Sequence, residues 1–187
     1  MNADYADTLR LIVRAQSGDT TAAEQLVHTY HPLTYRLAIA MLDDPAEADE
    51  AAQETLIAAM DRLDSFRGEA SFSTWLYAIA LNECRGRLRK RRARERLAQV
   101  LHAVFRVDLI PPSSVESTVI EQQKNMALWQ AIQALPDKQR EVIMLRYYSE
   151  LKIVDIARVL GITDRAVRAR LRTANDHLRA VLKNEVE

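Results

Sequence analysis

The stretch Ile153-Val154-Asp155-Ile156-Ala157-Arg158-Val159-Leu160-Gly161-Ile162-Thr163-Asp164-Arg165-Ala166-Val167-Arg168-Ala169-Arg170-Leu171-Arg172-Thr173 decides how the C-terminal half is read. It holds two apolar-periodic segments divided at a glycine. Ala157, Gly161 and Val167 have the spacing of a helix-turn-helix. The residue types suit the geometry. Ala157 is small where a second helix must cross close by. Gly161 supplies the positive φ that ends the first helix. Thr163 is a good N-cap for the second. Ile156, Leu160, Ile162, Val167 and Leu171 furnish apolar contact between the two helices.

In such a motif the second helix enters the major groove of duplex DNA. Its apolar stripe here is Val167, Leu171, Ala174 and Leu178, so the opposite face carries Arg165, Arg168, Ala169, Arg172 and Thr173. Arginine reads guanine edges with two hydrogen bonds and also grips phosphates. Arg170 lies to one side, better placed for backbone phosphate. Taken singly, each of these arginines also has a plainer reading, as a solvated surface charge.

Working outward, the 187 residues suit one ordinary domain or two small ones. Only four Gly and five Pro accompany abundant Ala, Leu, Arg and Glu, and no alternating stretch with a hairpin dipeptide occurs. The expected class is therefore all-α. The net charge is zero, but the charge is unevenly placed. No Lys or Arg occurs from Leu37 to Asp61, where Asp43, Asp44, Glu47, Asp49, Glu50 and Glu54 crowd together. From Arg85 to Arg96 there are eight basic residues against one acid, Glu95. Blocks of opposite sign suit two different macromolecular partners. The single Cys84 excludes an intramolecular disulfide and fits a reducing compartment. With no signal pattern and no membrane-length apolar run, a cytoplasmic protein without membrane insertion is expected.

Periodicity predicts helices over Tyr5–Gln16 and Thr21–Leu42, the latter kinked or broken at Pro32. A third runs from Pro45 to about Leu63 and carries the acidic block. Asp64 to Ser71 is a loop, and a fourth helix through Trp75, Leu76, Ile79 and Ala80 runs into the basic block. Residues 1–92 thus form one compact helical domain. Residues 93–115 are expected as a flexible linker, with one short helix around Leu97–Phe105 and an extended Ile110-Pro111-Pro112-Ser113-Ser114. Residues 116–187 form a second helical domain, with helices over 116–134, 138–148, 153–160 and 164–182. Each domain is small, so their relative placement is expected to depend on partners.

Three N-terminal pieces, Glu50-Ala51-Ala52-Gln53-Glu54-Thr55, the run Phe66-Arg67-Gly68-Glu69-Ala70-Ser71-Phe72-Ser73-Thr74-Trp75-Leu76-Tyr77-Ala78-Ile79-Ala80-Leu81-Asn82, and the basic Arg87-Leu88-Arg89-Lys90-Arg91-Arg92, resemble bacterial sigma factors of the extracytoplasmic-function (ECF) type. Leu135-Pro136-Asp137-Lys138-Gln139-Arg140-Glu141-Val142 and the helix-turn-helix resemble the second domain of that family, in the same order. The resemblance implies a non-enzymatic protein without cofactor or metal. It implies that Asp49, Glu50, Gln53 and Glu54 bind the clamp of the largest subunit of core RNA polymerase. Phe66, Arg67, Ser71, Asn82, Arg85 and Arg89 would act on the minus-ten promoter element, with a flipped base held by the loop and Arg87 and Lys90 also on phosphates. Arg165, Arg168, Ala169, Arg170, Arg172 and Thr173 would act at the minus-thirty-five element. An anti-sigma factor is an implied partner.

The chain departs from the family pattern in places. Gly86 stands where many members have Asp or Asn, and a mid-helix glycine costs about 1 kcal/mol against alanine. Ala51 and Ala52 replace larger apolar residues, and Thr173 stands where Arg is common. Two other readings use part of the sequence: a helix-turn-helix regulator that acts without polymerase, and a sigma-like decoy for an anti-sigma factor. The first leaves the acidic helix and the Phe66–Asn82 segment idle, and the second does not need the basic surfaces. His28 and His31 lack neighbours that would complete a metal set. No glycine-rich phosphate loop or nucleophile–base pair stands out.

Overall fold

The computed structural model describes residues 3–105 and 120–184, with side chains described over 6–98 and 126–181. Among the described residues all regular structure is helical: α1 (Ala3–Gln16), α2 (Thr20–Leu42), α3 (Pro45–Asp61), α4 (Phe72–Phe105), α5 (Ile120–Ala134), α6 (Asp137–Ile143), α7 (Ile153–Leu160) and α8 (Asp164–Asn184). A single 3₁₀ turn covers Leu63–Ser65, and a π-helical turn over Met144–Tyr148 extends α6.

Local chemistry sets the boundaries. The Asp19 carboxylate accepts from the Ala22 N–H at 3.1 Å and caps α2. Asp43, at φ 56°, ends α2, and Asp44 accepts from the Glu47 N–H at 2.9 Å to start α3, with Pro45 in the first turn. The Ser71 hydroxyl accepts from the Thr74 N–H at 3.1 Å and starts α4. Gly161 ends α7 in the left-handed region at φ 64°.

Two sequence expectations are revised. Of the kink or break expected at Pro32, the break is absent, and helix α2 continues through it. Pro32 and His28 both face solvent, so the carbonyl that loses its amide partner can be hydrated. Helix α4 runs on to Phe105, so no helix end falls at Arg92. From Arg87 to Ile110 there is neither Gly nor Pro, and the stretch is rich in helix formers, so nothing local stops the helix. The rest of the expected linker, with the Ile110–Ser114 segment, lies outside the described residues.

α1 packs on α2, and α2, α3 and α4 pack mutually; in the C-terminal half α5, α6 and α7 pack on α8. Ile12, Leu26, Leu56, Phe66, Phe72 and Leu76 form an apolar cluster inside the N-terminal unit. A second cluster spans both halves. It joins Met41, Leu42, Leu81 and Leu88 to Val142, Leu145, Ile156 and Val167. The halves therefore share a core, with α4 packed on α7 and α2 on the π turn. Sequence reading expected two units placed by partners. Here apolar surface that neither small half covers alone is buried against the other.

Two glycines give opposite expectations. A Cβ at Gly86 meets nothing closer than the Arg89 guanidinium at 3.9 Å, so Gly86→Ala is expected to stabilise the chain by about 0.5–1 kcal/mol. Gly161 holds a positive φ, so Gly161→Ala is expected to cost about 1–2 kcal/mol. Urea denaturation followed by circular dichroism reads both; equal midpoints for the two variants would contradict this assignment of backbone roles.

Candidate nucleic-acid and protein interfaces

Helix α8 is held as the motif requires. The Thr163 hydroxyl accepts from the Ala166 N–H at 3.2 Å. Val167, Leu171, Ala174 and Leu178 are all buried, while Arg165, Arg168, Ala169, Arg172 and Thr173 are exposed. The Thr173 hydroxyl donates to the Ala169 carbonyl at 3.2 Å, so its proton is already used within the helix. Arg170 is half-buried and faces the cleft between the halves, beside Arg85, Arg89 and Arg92 of α4.

On α3, Glu50, Gln53 and Glu54 are exposed and Asp49 is half-buried. Gln53 Nε2 donates to Asp49 Oδ2 at 2.8 Å. Arg87 of α4 donates Nη1 to Glu50 Oε2 and Nη2 to Glu54 Oε2, each at 2.9 Å. Arg87 is thus committed to the acidic row rather than lying free beside the other arginines. Ile57, 62% exposed, extends this row by one turn past Gln53 and was not singled out from the sequence. The available signal was its i+3 and i+4 spacing from Glu54 and Gln53.

The third group is divided. Phe66 is buried, packed edge-on against Phe72 and Trp75 at centroid distances of 5.4 and 5.5 Å, so its ring belongs to the core rather than the surface. The Ser71 hydroxyl caps α4 and also meets Ser73 and Thr74 hydroxyls at 2.9 and 2.8 Å. Arg67, Asn82 and Arg89 are exposed. The loop carries a hollow lined by residues 65–70, Thr74, Trp75 and Ala78, closed on one side by Arg158 and Val159 of α7. Arg85 is not free. Its Nε and Nη2 donate to Glu141 Oε1 and Oε2 at 2.6 and 2.8 Å.

Helical phase explains the division. At about 100° per residue, Tyr77, Leu81, Cys84 and Leu88 fall on one stripe of α4, and all four are buried. Arg85 and Arg92 sit on one flank of that stripe and Arg87 on the other. Asn82 and Arg89 lie farther round, where they meet solvent. A helical wheel could have separated these arginines, but it could not name the element that each flank meets.

Cys84 is fully buried, and burial pushes its thiol up to about 12. His31 Nε2 lies 3.5 Å from Asp49 Oδ1 and stacks on Tyr35. Among the described residues no group of three His, Cys, Asp or Glu side chains could hold a metal, and no helix is long and apolar enough to cross a membrane. Cys84 is expected to resist an aromatic disulfide reagent between pH 7 and 9 and to react fully once the chain is unfolded in urea. Rapid labelling of the folded protein would contradict its buried placement.

An arginine-faced helix-turn-helix, tied to a helical unit with an acidic face and a basic α4, defines a DNA-binding protein that also docks on another protein. Residues 26–94 match the family model for sigma-70 region 2, and residues 125–178 match that for sigma-70 region 4. The chain is 33% identical to the ECF RNA polymerase sigma factor SigW of Bacillus subtilis, over 92% of this chain and 95% of the relative. It is 30% identical to the RNA polymerase sigma-H factor of Pseudomonas aeruginosa, over 93% of each. The fold is similar to that of CnrH in complex with the cytosolic domain of CnrY (TM-score 0.68, 28% identity, 96% of this chain and 98% of that one). It is also similar to the sigma factor RpoE in complex with the anti-sigma factor NepR from Bartonella quintana (TM-score 0.64, 26% identity, 86% and 96%). The chain belongs to the ECF RNA polymerase sigma factors of the sigma-70 family. It is a transcription initiation factor that directs core polymerase to promoters.

Proposed function

We propose that initiation is divided among three surfaces of this chain. Asp49, Glu50, Gln53 and Glu54 on α3 dock on the clamp of the largest polymerase subunit. The Asp64–Ser71 loop with Arg67, Asn82, Arg85 and Arg89 takes the melted minus-ten element, and Arg165, Arg168, Arg170 and Arg172 on α8 hold the minus-thirty-five duplex. The domains would then be residues 1–92 for polymerase and minus-ten, 93–115 as connection, and 116–187 for minus-thirty-five. The reading makes the chain a cytoplasmic binding factor rather than an enzyme, and it leaves bond-making to polymerase.

The observation that carries this reading is the exposed arginine face of α8 over a buried Val167–Leu171–Ala174–Leu178 stripe. A rigid helix presenting Arg165, Arg168 and Arg172 on one side suits a groove lined by phosphates and base edges. Arg87, paired to Glu50 and Glu54, holds two acids of α3 at fixed spacing for a basic partner surface. The buried Phe66 supports the minus-ten pocket from behind. Solved relatives carry bound partners, CnrY on CnrH and the anti-sigma factor NepR on RpoE. An anti-sigma factor is accordingly the regulator proposed for this chain.

Transcription in vitro with purified core polymerase on a pool of promoter fragments tests the scheme. Transcripts are expected only with the chain added, from promoters sharing two motifs at fixed spacing. Arg172→Ala is expected to cost about 1–3 kcal/mol of binding and to relax preference at one position of the upstream motif if it reads a base. A loss uniform across sequences would assign Arg172 to phosphate instead. Glu50→Lys with Glu54→Lys is expected to weaken capture of core polymerase in a pull-down, and unchanged capture would remove α3 from that interface.

A further inference from the structure

The cleft between α4, α6 and α8 has a volume of about 300 Å³ and carries more positive charge than its own acids can match. Arg85, Arg89, Arg92, Lys138 and Arg170 line it, against Asp137 and Glu141. Both carboxylates are already paired. Glu141 Oε1 and Oε2 accept from Arg85 Nε and Nη2 at 2.6 and 2.8 Å, and the Glu141 side chain is only 4% exposed. Asp137 Oδ2 and Oδ1 accept from Arg92 Nη1 and Nη2 at 2.5 and 2.6 Å, and Oδ1 also accepts from Arg140 at 3.2 Å. Among the described residues, Arg89, Lys138 and Arg170 have no hydrogen-bond or ion-pair partner for their side chains. They come from three different helices, and Arg170 is half-buried.

A half-buried guanidinium without an acceptor gives up hydration with nothing in its place. Like charges close by add to that cost. The excess is felt beyond the cleft. Burial lowers the pKa of Arg140 below its ordinary value, Asp137 opposes the change, and the Arg92 and Arg91 charges lower it further. An added anion removes the imbalance. One phosphoryl group carries a charge of about −1.5 to −2 at pH 7, so three unmatched cations call for two such groups. The rest of the lining is apolar. Leu88 is buried, and Leu160 and Ile162, on either side of the Gly161 turn, are half-buried beside the cations. A space of this size, with an apolar floor and a few convergent charges, is what a small-molecule site requires.

We propose that this cleft is a binding site for a nucleoside diphosphate, with Arg89, Lys138 and Arg170 on the phosphates and Leu160 and Ile162 under the base. Arginine takes phosphate oxygens through paired N–H donors, and lysine supplies a point charge between them. A nucleic-acid strand is the poorer occupant, because the cleft is walled by both halves of the chain and holds the volume of one small ligand. Arg89 and Arg170 belong to the two sets of residues assigned above to promoter DNA. A bound nucleotide therefore withholds one cation from each set. Binding of the nucleotide itself does not depend on that assignment.

Isothermal titration calorimetry of the full chain tests the site with ADP, GDP, inorganic pyrophosphate and adenosine. A single site per chain is expected for ADP or GDP, with pyrophosphate weaker and adenosine silent. Arg170→Ala is expected to weaken nucleotide binding about tenfold, and Lys138→Ala with Arg170→Ala to weaken it further. Arg10→Ala with Arg62→Ala removes the same charge from exposed positions of the N-terminal unit and is expected to leave the affinity unchanged. Circular dichroism verifies that each variant is folded. A charge control that weakened binding as much as the cleft variant would overturn the site. Pyrophosphate binding as tightly as both nucleotides would overturn the place of the base on Leu160 and Ile162. Absence of binding by either nucleotide at millimolar concentration would overturn the proposal as a whole. If a mixed-sequence single-stranded 20-mer then bound and lost affinity in the Lys138→Ala, Arg170→Ala variant, these cations would serve DNA alone, and the promoter reading would stand without the nucleotide site.

Discussion

The burial of one stripe of α4 is the constraint on which the rest of the molecule depends. Tyr77, Leu81, Cys84 and Leu88 recur at seven- and four-residue spacing and must leave water. They do so between two sets of helices, α2 and α3 on one side and the helix-turn-helix unit on the other. Once that stripe is fixed, the neighbouring charges have no freedom of direction. Arg87 is turned to the acids of α3, and Arg85 and Arg92 are turned to those of α6. Asn82 and Arg89 face solvent, Asn82 Oδ1 accepting from Arg85 Nη1 at 3.3 Å.

The basic block therefore acts as three separate groups rather than one patch. Part of it pairs with the acids of α3, part of it holds the C-terminal half, and part remains outward. The Arg85–Glu141 pair has the most consequence because Glu141 is almost wholly enclosed. A buried pair gains little net energy over an apolar contact of the same volume, yet losing one partner strands the other charge. Such a pair sets which face meets which, while the apolar cluster around Leu81, Val142 and Ile156 supplies most of the attraction.

The aromatic cluster of Phe66, Phe72 and Trp75 does comparable work at the loop. Edge-on packing of Phe66 fixes where the loop leaves the core, and Gly68 at φ 73° lets it turn back toward α4. The loop keeps a hollow at a defined place because its base is rigid. Ser71 acts in this framework as the cap of α4, so its hydroxyl fixes helix geometry before it can contact anything else.

The helix-turn-helix was legible by itself because its determinants are local. A small residue, a positive-φ glycine, an N-cap and a 3.6-residue apolar stripe act within twenty residues, and Ala157, Gly161, Thr163 and Val167 each stand as read. The all-helical class, the acidic row of α3 and the exposed arginines of α8 followed from periodicity in the same way. The continuation of α4 past Arg92 was also open to local reading, since nothing there ends a helix. The burial of Phe66, the turning of Arg87 toward Glu50 and Glu54, and the pairing of Arg85 with Glu141 were decided by tertiary structure. Each depends on which element lies opposite; for the two arginines, Glu50 lies 37 positions from Arg87 and Glu141 lies 56 from Arg85. Helical phase gives a side chain its direction. Only the packed fold says what it meets there.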